Sequence, residues 1–444
     1  MNLDYSRFQH HSAPNPALAW EGRPLVYSPR WAIWGAAAML FILTASNGRP
    51  LWTSSGLWVM MLAPMLILRR GPGRLLRVAA SRPNHAIFLA LWLFLLANLL
   101  STIATPSDEA ILAFLQRCVL PMLVYLSMIG LVLKPTDVRL LILAVATGSG
   151  FLFLKGWLAY HAAWGIPDLS TILWGRYDIE RMTGYSDATF GNLSQMGLYV
   201  VLVLPPLILA AIKWIRNRLV RSFLWFVSLI GLANLIVSGS RTGLALMFLS
   251  AGMIILSHGA RKAVAFSVAI GGILIVASPI WLPLISDPEI IARYIPVLSD
   301  RSEDNSANER FLSVVDGWKI FLDNFAFGVG PGMSHHHSYW HIPHESIVHQ
   351  LSELGLIGGV AFIWLNLVVL ARTFMVMVAA SRNPAAAFRL LWLIGPAIWL
   401  IFGIAGGIAF SSSWALAWVG IAHAMLALST ANVRMRGNGH QIAR

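Results

Sequence analysis

Residues 328–359 read GVGPGMSHHHSYWHIPHESIVHQLSELGLIGG, and the chain changes character inside them. The opening Gly328, Gly330, Pro331 and Gly332 mark a loop. Six of the thirteen histidines follow, His335, His336, His337, His341, His344 and His349, with Tyr339 and Trp340 among them. After Pro343 the apolar residues Ile347, Val348, Leu351, Leu354 and Leu356 take helical spacing, and a long apolar run begins. Titratable side chains are thus delivered to the mouth of an apolar helix, where a reaction can be run at a bilayer surface. The rest of the chain reads as the scaffold of that mouth.

Composition fixes what kind of scaffold. The 444 residues are 57% hydrophobic and 11% charged, with a mean hydropathy of +0.68. A soluble domain carries about 25% charged residues, so the class is a polytopic membrane protein. The single cysteine, Cys118, lies in an apolar run, which excludes an internal disulfide and predicts an inert thiol. Residues 1–30 are polar and lack the apolar stretch of a signal peptide.

Apolar windows long enough to cross a membrane fall near 31–47, 51–68, 86–104, 110–133, 138–160, 192–212, 222–239, 242–258, 263–285, 346–371, 388–408 and 411–430. The expected fold is all-α and polytopic, with about 12 transmembrane helices and a large loop containing short helices, a loop that the family resemblance given below implies is periplasmic. Three regions follow: 1–285 with helices one to nine and a loop at about 161–191, a loop subdomain at 286–345, and 346–444 with the last three helices and a tail. The net charge of +13 invites a nucleic-acid partner, but its placement argues otherwise. Alternate loops collect 22 of the 32 Lys and Arg residues and, of the 19 acids, only Asp4, Glu21 and Asp137. The positive-inside rule puts that face and both termini in the cytoplasm, and such loops serve as topology signals and anionic-lipid contacts. No nucleic-acid partner is expected.

The opposite face has two long loops. In the second, SDRSEDNSANER (299–310) reads as a solvated loop. FLSVVDGWKIFLDNF after it has apolar residues at 311, 314, 315, 318, 321, 322 and 325, the period of a helix lying on a membrane surface.

Arg241, in VSGSRTGLALMFL, stands between two apolar runs, where an unpaired guanidinium costs about 2–3 kcal/mol. It reads either as an anion site, with backbone N–H groups of the helix start beside it, or as a snorkelling side chain. Arg181, in ERMTGYSDATFGN before a helix, reads as a second cation for the same anion or as a loop ion pair with Glu180 or Asp187. Arg310, Lys319 and Asn192 are supporting candidates. Arg117 and Lys155 are further charges inside apolar runs. They fit structural pairs, or the path of a transporter.

The histidines allow three readings. A zinc protease needs HExxH, whereas His344, Glu345 and His349 form HExxxH, and five residues rotate a helix by about 140°. A structural metal cluster would draw on His335, His336, His337 and His341. A general base would be His344, placed by Pro343 at a helix start, with Glu345 orienting it. The last is the assignment adopted, and no residue is assigned to a metal.

SGSRTG opening one helix, NERFLSVVDGWKIFLDNFAFGVGPG in a large loop and PHESIVHQLSELGLIGG entering the next helix together resemble the O-antigen ligase / O-antigen polymerase family over about 230–362. The resemblance implies a glycosyltransferase of the bacterial inner membrane with a periplasmic active site. It implies transfer of a glycan from an undecaprenyl-diphosphate carrier to an acceptor hydroxyl, inverting and without metal or other cofactor. By motif position His344 matches the family's catalytic histidine, Arg241 and Arg181 its diphosphate-holding arginines, and Arg310 its loop arginine. Glu345 departs from the Asn or Ser that follows that histidine in the family. The expected reaction is ligation of polysaccharide to lipid A–core in lipopolysaccharide biosynthesis. Alternatives are a polymerase of the carrier-linked glycan, a protein O-oligosaccharyltransferase, and, from another class, a lipid-linked glycan transporter.

Overall fold

A computed structural model describes residues 29–45, 85–129, 131, 135–164, 193–213, 215–238, 241–256, 305–338 and 346–380, with scattered residues at 62–67 and 390–397. Every regular element among them is helical. These are α1 (Arg30–Ala45), α2 (His85–Ala104), α3 (Asp108–Ile129), α4 (Pro135–Trp164), α5 (Leu193–Lys213), α6 (Arg218–Val237), α7 (Arg241–Leu256), α8 (Asn305–Asp323), α9 (Ser334–His337) and α10 (Ser346–Ala380). Five of them, α2, α3, α4, α6 and α10, are long and apolar enough to cross a membrane. A lipid interior offers the backbone no hydrogen-bond partner, and a helix satisfies its own. The chain is a multi-pass membrane protein.

Eight of the twelve expected spans coincide with helices, to within a few residues at most ends. The windows at 51–68, 263–285, 388–408 and 411–430, and the loop at 161–191, lie outside the described residues or are touched only at scattered positions.

One group of helices packs through small residues. α1 lies along α4, where a side chain at Gly148 would run into Thr44 and the Phe41 carbonyl. Such close approach is how helices associate where lipid is as apolar as leucine. The Tyr199 hydroxyl of α5 donates to the Thr44 carbonyl at 2.8 Å and lies 2.9 Å from Ser149 Oγ, joining α1, α4 and α5. The Asn234 amide of α6 donates to the Phe153 carbonyl of α4 at 2.9 Å, and α7 packs on α5.

The second group carries the site. α2 buries Ala90, Phe94, Ala97, Ser101 and Thr102 on the side facing α10, and Phe94 meets Phe362 at 5.9 Å between ring centroids. α8 also packs on α10.

Two expectations change in this region. The helix expected at 346–371 runs on to Ala380, and Gly355 interrupts it with φ 65° and ψ −165°. The polar stretch expected as a loop to Arg310 is already helical from Asn305. Its asparagines and serines suggest a loop, but an amphipathic helix held by its later turns tolerates a polar first turn.

Candidate functional site

The break at Gly355 is stitched to the loop that the glycines announce. Past the break, 25 residues remain to Ala380, about 37 Å of helix, enough to cross a bilayer alone. The turns from Ser346 to Leu354 are therefore a separate piece at the mouth. An interrupted helix leaves carbonyls without partners, and the loop supplies them. Val329 N–H donates to the Ser352 carbonyl at 3.0 Å and Gly330 N–H to the Glu353 carbonyl at 2.9 Å; in return Leu356 N–H donates to the Phe325 carbonyl at 2.8 Å. Ser101 Oγ of α2 gives the Glu353 carbonyl a second donor at 2.9 Å.

The approach is so close that two glycines face each other's neighbours. A Cβ at Gly328 would strike the Glu353 backbone, and one at Gly355 would strike the backbone of Ala326 and Phe327. Both also have positive φ, so each position excludes other residues on conformation and on space.

Under this stitching lies the Glu353 side chain, 3% exposed. A lone buried carboxylate is costly, so it needs donors. Arg117 of α3 approaches Oε2 at 3.1 Å. Ser334 Oγ, the first residue of α9, donates to Oε1 at 2.9 Å. Gly332 N–H also points at the carboxylate. His349 Nε2 sits 2.9 Å from Oε1 on the same helical face, at ion-pair distance but off the hydrogen-bond direction. Arg117 occupies a turn of π-helix, Leu115–Val119, in which Leu120 N–H reaches back to the Leu115 carbonyl. Such a turn re-aims side chains without ending the helix, and it often marks a working site.

One carboxylate thus joins α3, the glycine loop, α9 and the first part of α10. Arg117, read from sequence as a structural pair or a transport charge, is a structural pair. In the first turns of α10 the buried atoms His349 Nδ1 and Ser346 Oγ have no hydrogen-bond partner among the described residues. Ser346 directly follows the His344–Glu345 pair in sequence, and His349 comes three residues after it.

The described residues cover the expected reaction residues only in part. Arg241 is the first residue of α7 and Arg310 lies in the opening turns of α8; nothing is described of their side chains. Lys319 lies on the exposed side of α8. Arg181, Asn192, His344 and Glu345 lie outside the described residues.

Beyond the break an apolar groove of about 370 Å³ opens between α2 and α10, lined by Leu89, Leu93, Leu96, Ile357, Val360 and Trp364 among others.

Residues 226–363 match the family model described as O-Antigen ligase. Over that stretch the chain is similar to the O-antigen ligase family. No curated protein matches it. Members of the family are membrane glycosyltransferase-type enzymes, either ligases or polymerases. The O-antigen ligase stretch holds Gly328, Ser334, His349, Glu353 and Gly355, whereas Arg117 reaches it from an earlier helix. Sequence reasoning picked out Arg117 and His349 and passed over Glu353 and Ser334.

Proposed function

We propose that the chain transfers a preassembled polysaccharide from an undecaprenyl-diphosphate carrier to a hydroxyl of lipid A–core, at the periplasmic face of the inner membrane. The carrying observation is the family match over 226–363, the stretch that contains Arg241, Arg310 and His344. His344 takes the proton from the acceptor hydroxyl as the oxygen attacks the anomeric carbon, and Glu345 orients the imidazole. The carrier diphosphate leaves with the bonding pair of the broken C–O bond. Arg181, Arg241 and Arg310 hold that anion as its charge grows, which lowers the barrier without a divalent ion. Asn192 and Lys319 support the same region.

Three described features support the reading. Arg241 opens α7, where the positive end of the helix favours an anion. The groove between α2 and α10 fits a prenyl tail entering from lipid. The stitched loop and the Glu353 knot fix both flanks of the His344 segment, and a general base needs that fixing.

The test is transfer by purified chain in liposomes with EDTA present, given carrier-linked glycan and lipid A–core. Wild type is expected to glycosylate lipid A–core. His344→Ala and Arg241→Ala are each expected to lose at least about 100-fold. Lengthening of the carrier-linked glycan instead would make the chain a polymerase, and transfer to a protein hydroxyl an O-oligosaccharyltransferase. Undiminished activity of His344→Ala would remove the base from the mechanism, and carrier movement without transfer would favour a transporter.

A further inference from the structure

A carboxylate and two imidazoles meet where α3 begins, outside the Glu353 knot. Glu109, in the first turn of α3, turns its two oxygens to different rings. Oε1 lies 3.2 Å from His335 Nε2 and Oε2 lies 2.7 Å from His336 Nε2. The two rings sit side by side with centroids 3.9 Å apart. The three side chains are between 40% and 49% exposed, so the cluster opens to solvent.

The other nitrogen of His335 decides what the cluster can hold. Nδ1 lies 2.8 Å from the Gly332 carbonyl oxygen, which only accepts, so Nδ1 carries the proton. A neutral His335 then turns a bare Nε2 lone pair toward a carboxylate oxygen. Two acceptors at that distance need something positive between them, either a proton or a metal ion. An imidazole whose outer N–H is held by a carbonyl is also the usual preparation of a metal ligand.

The backbone under the rings is fixed rather than loose. Gly332, at φ 77°, has no room for a side chain against Ala113, and Ser334 is tied to Glu353. Asp108 adds a second acid beside Glu109 and offsets the positive end of α3.

We propose that Glu109, His335 and His336 bind one divalent cation of the zinc class, with its remaining coordination positions open to water. Two imidazoles and one carboxylate suit a borderline transition metal rather than calcium or magnesium. Bonds of about 2.0–2.1 Å at tetrahedral angles put ligand atoms roughly 3.3 Å apart. The acid–imidazole spacings are 3.2 and 2.7 Å, and one ligand atom from each of the three residues lies within 4.8 Å of the others, so side-chain adjustments admit the ion. Bound there, it ties the first turn of α3 to α9 from the solvent side, where Arg117 and Glu353 tie them from within. The inference does not depend on the transferase reading, and the ion takes no part in that chemistry.

The test uses full-length chain, purified through a tag without histidines and stripped with a chelator. Zinc is titrated in competition with a chromophoric chelator. One Zn²⁺ per chain is expected, and Glu109→Gln and His336→Ala each weaken it by at least about 10-fold. His161→Ala, at an exposed histidine ending α4, leaves it unchanged. Zinc raises the thermal midpoint of wild type but not of the two variants, whose metal-free midpoints equal that of wild type. No stoichiometric binding would mean that a proton, not a metal, bridges the cluster. Equal affinity in the Glu109→Gln/His336→Ala double variant would mean that the histidine run binds zinc without this site. Either result overturns the assignment.

Discussion

Glu353 answers to a guanidinium, a hydroxyl and an imidazole at once, so its removal strands three groups rather than one. Glu353→Ala is expected to destabilise the chain by about 2–4 kcal/mol, the lower part of that range because Arg117 keeps 33% exposure. Arg117→Leu combined with Glu353→Leu should lose less than the two single changes together, since neither charge is then left alone. Thermal midpoints in detergent measure both, and strictly additive losses would show that the pair is not coupled. Arg117 is legible in the sequence as a charge in an apolar run. Its partner is 236 positions away, and one sequence carries no distances. The usable signal was charge itself. Glu353 is the last acid of the chain and, like Arg117, stands in an apolar helix, where opposite charges tend to find each other.

α8 illustrates what periodicity reveals about an element and where it stops. The apolar residues at 311, 314, 315, 318, 321, 322 and 325 point to a helix, and a helix forms. They do not divide into a protein side and another side. Ser313, Gly317, Ile320 and Phe321 are buried, whereas Phe311, Trp318, Leu322 and Phe325 are exposed. Small Ser313 and Gly317 cannot announce a buried face by hydrophobicity, since they serve by letting another backbone come near. An exposed apolar stripe on a helix braced against a membrane helix is expected to lie in the bilayer interface. Cysteines at 318 and 322 carrying a polarity-sensitive dye should shift to shorter wavelength on reconstitution into liposomes, and a cysteine at 319 should not. Cys118 is buried, so the added thiols label selectively. Equal spectra at all three positions would place α8 in water.

For the whole molecule, apolar windows made the helices legible because a bilayer tolerates little else, while the joints between them were not. The Gly355 break came without a sequence alarm: glycines are common in membrane helices, and only the loop seated against this one explains it. Sidedness rests on charge placement. A membrane-impermeant maleimide added outside right-side-out vesicles should label a cysteine at exposed position 337, and reach one at 216, between α5 and α6, only after permeabilisation. The reverse pattern would invert the topology. The break at Gly355 also bears on biogenesis. During synthesis the segment from Leu356 onward can enter the bilayer on its own hydrophobicity, so the insertion machinery need not carry the Glu353 carboxylate into hydrocarbon, a step costing about 2.5–3.5 kcal/mol for an acid at a helix centre. The short piece ahead of it can wait at the interface until its arginine is available. That arginine was made more than two hundred residues earlier, so the carboxyl-terminal half matures by docking onto helices already in place.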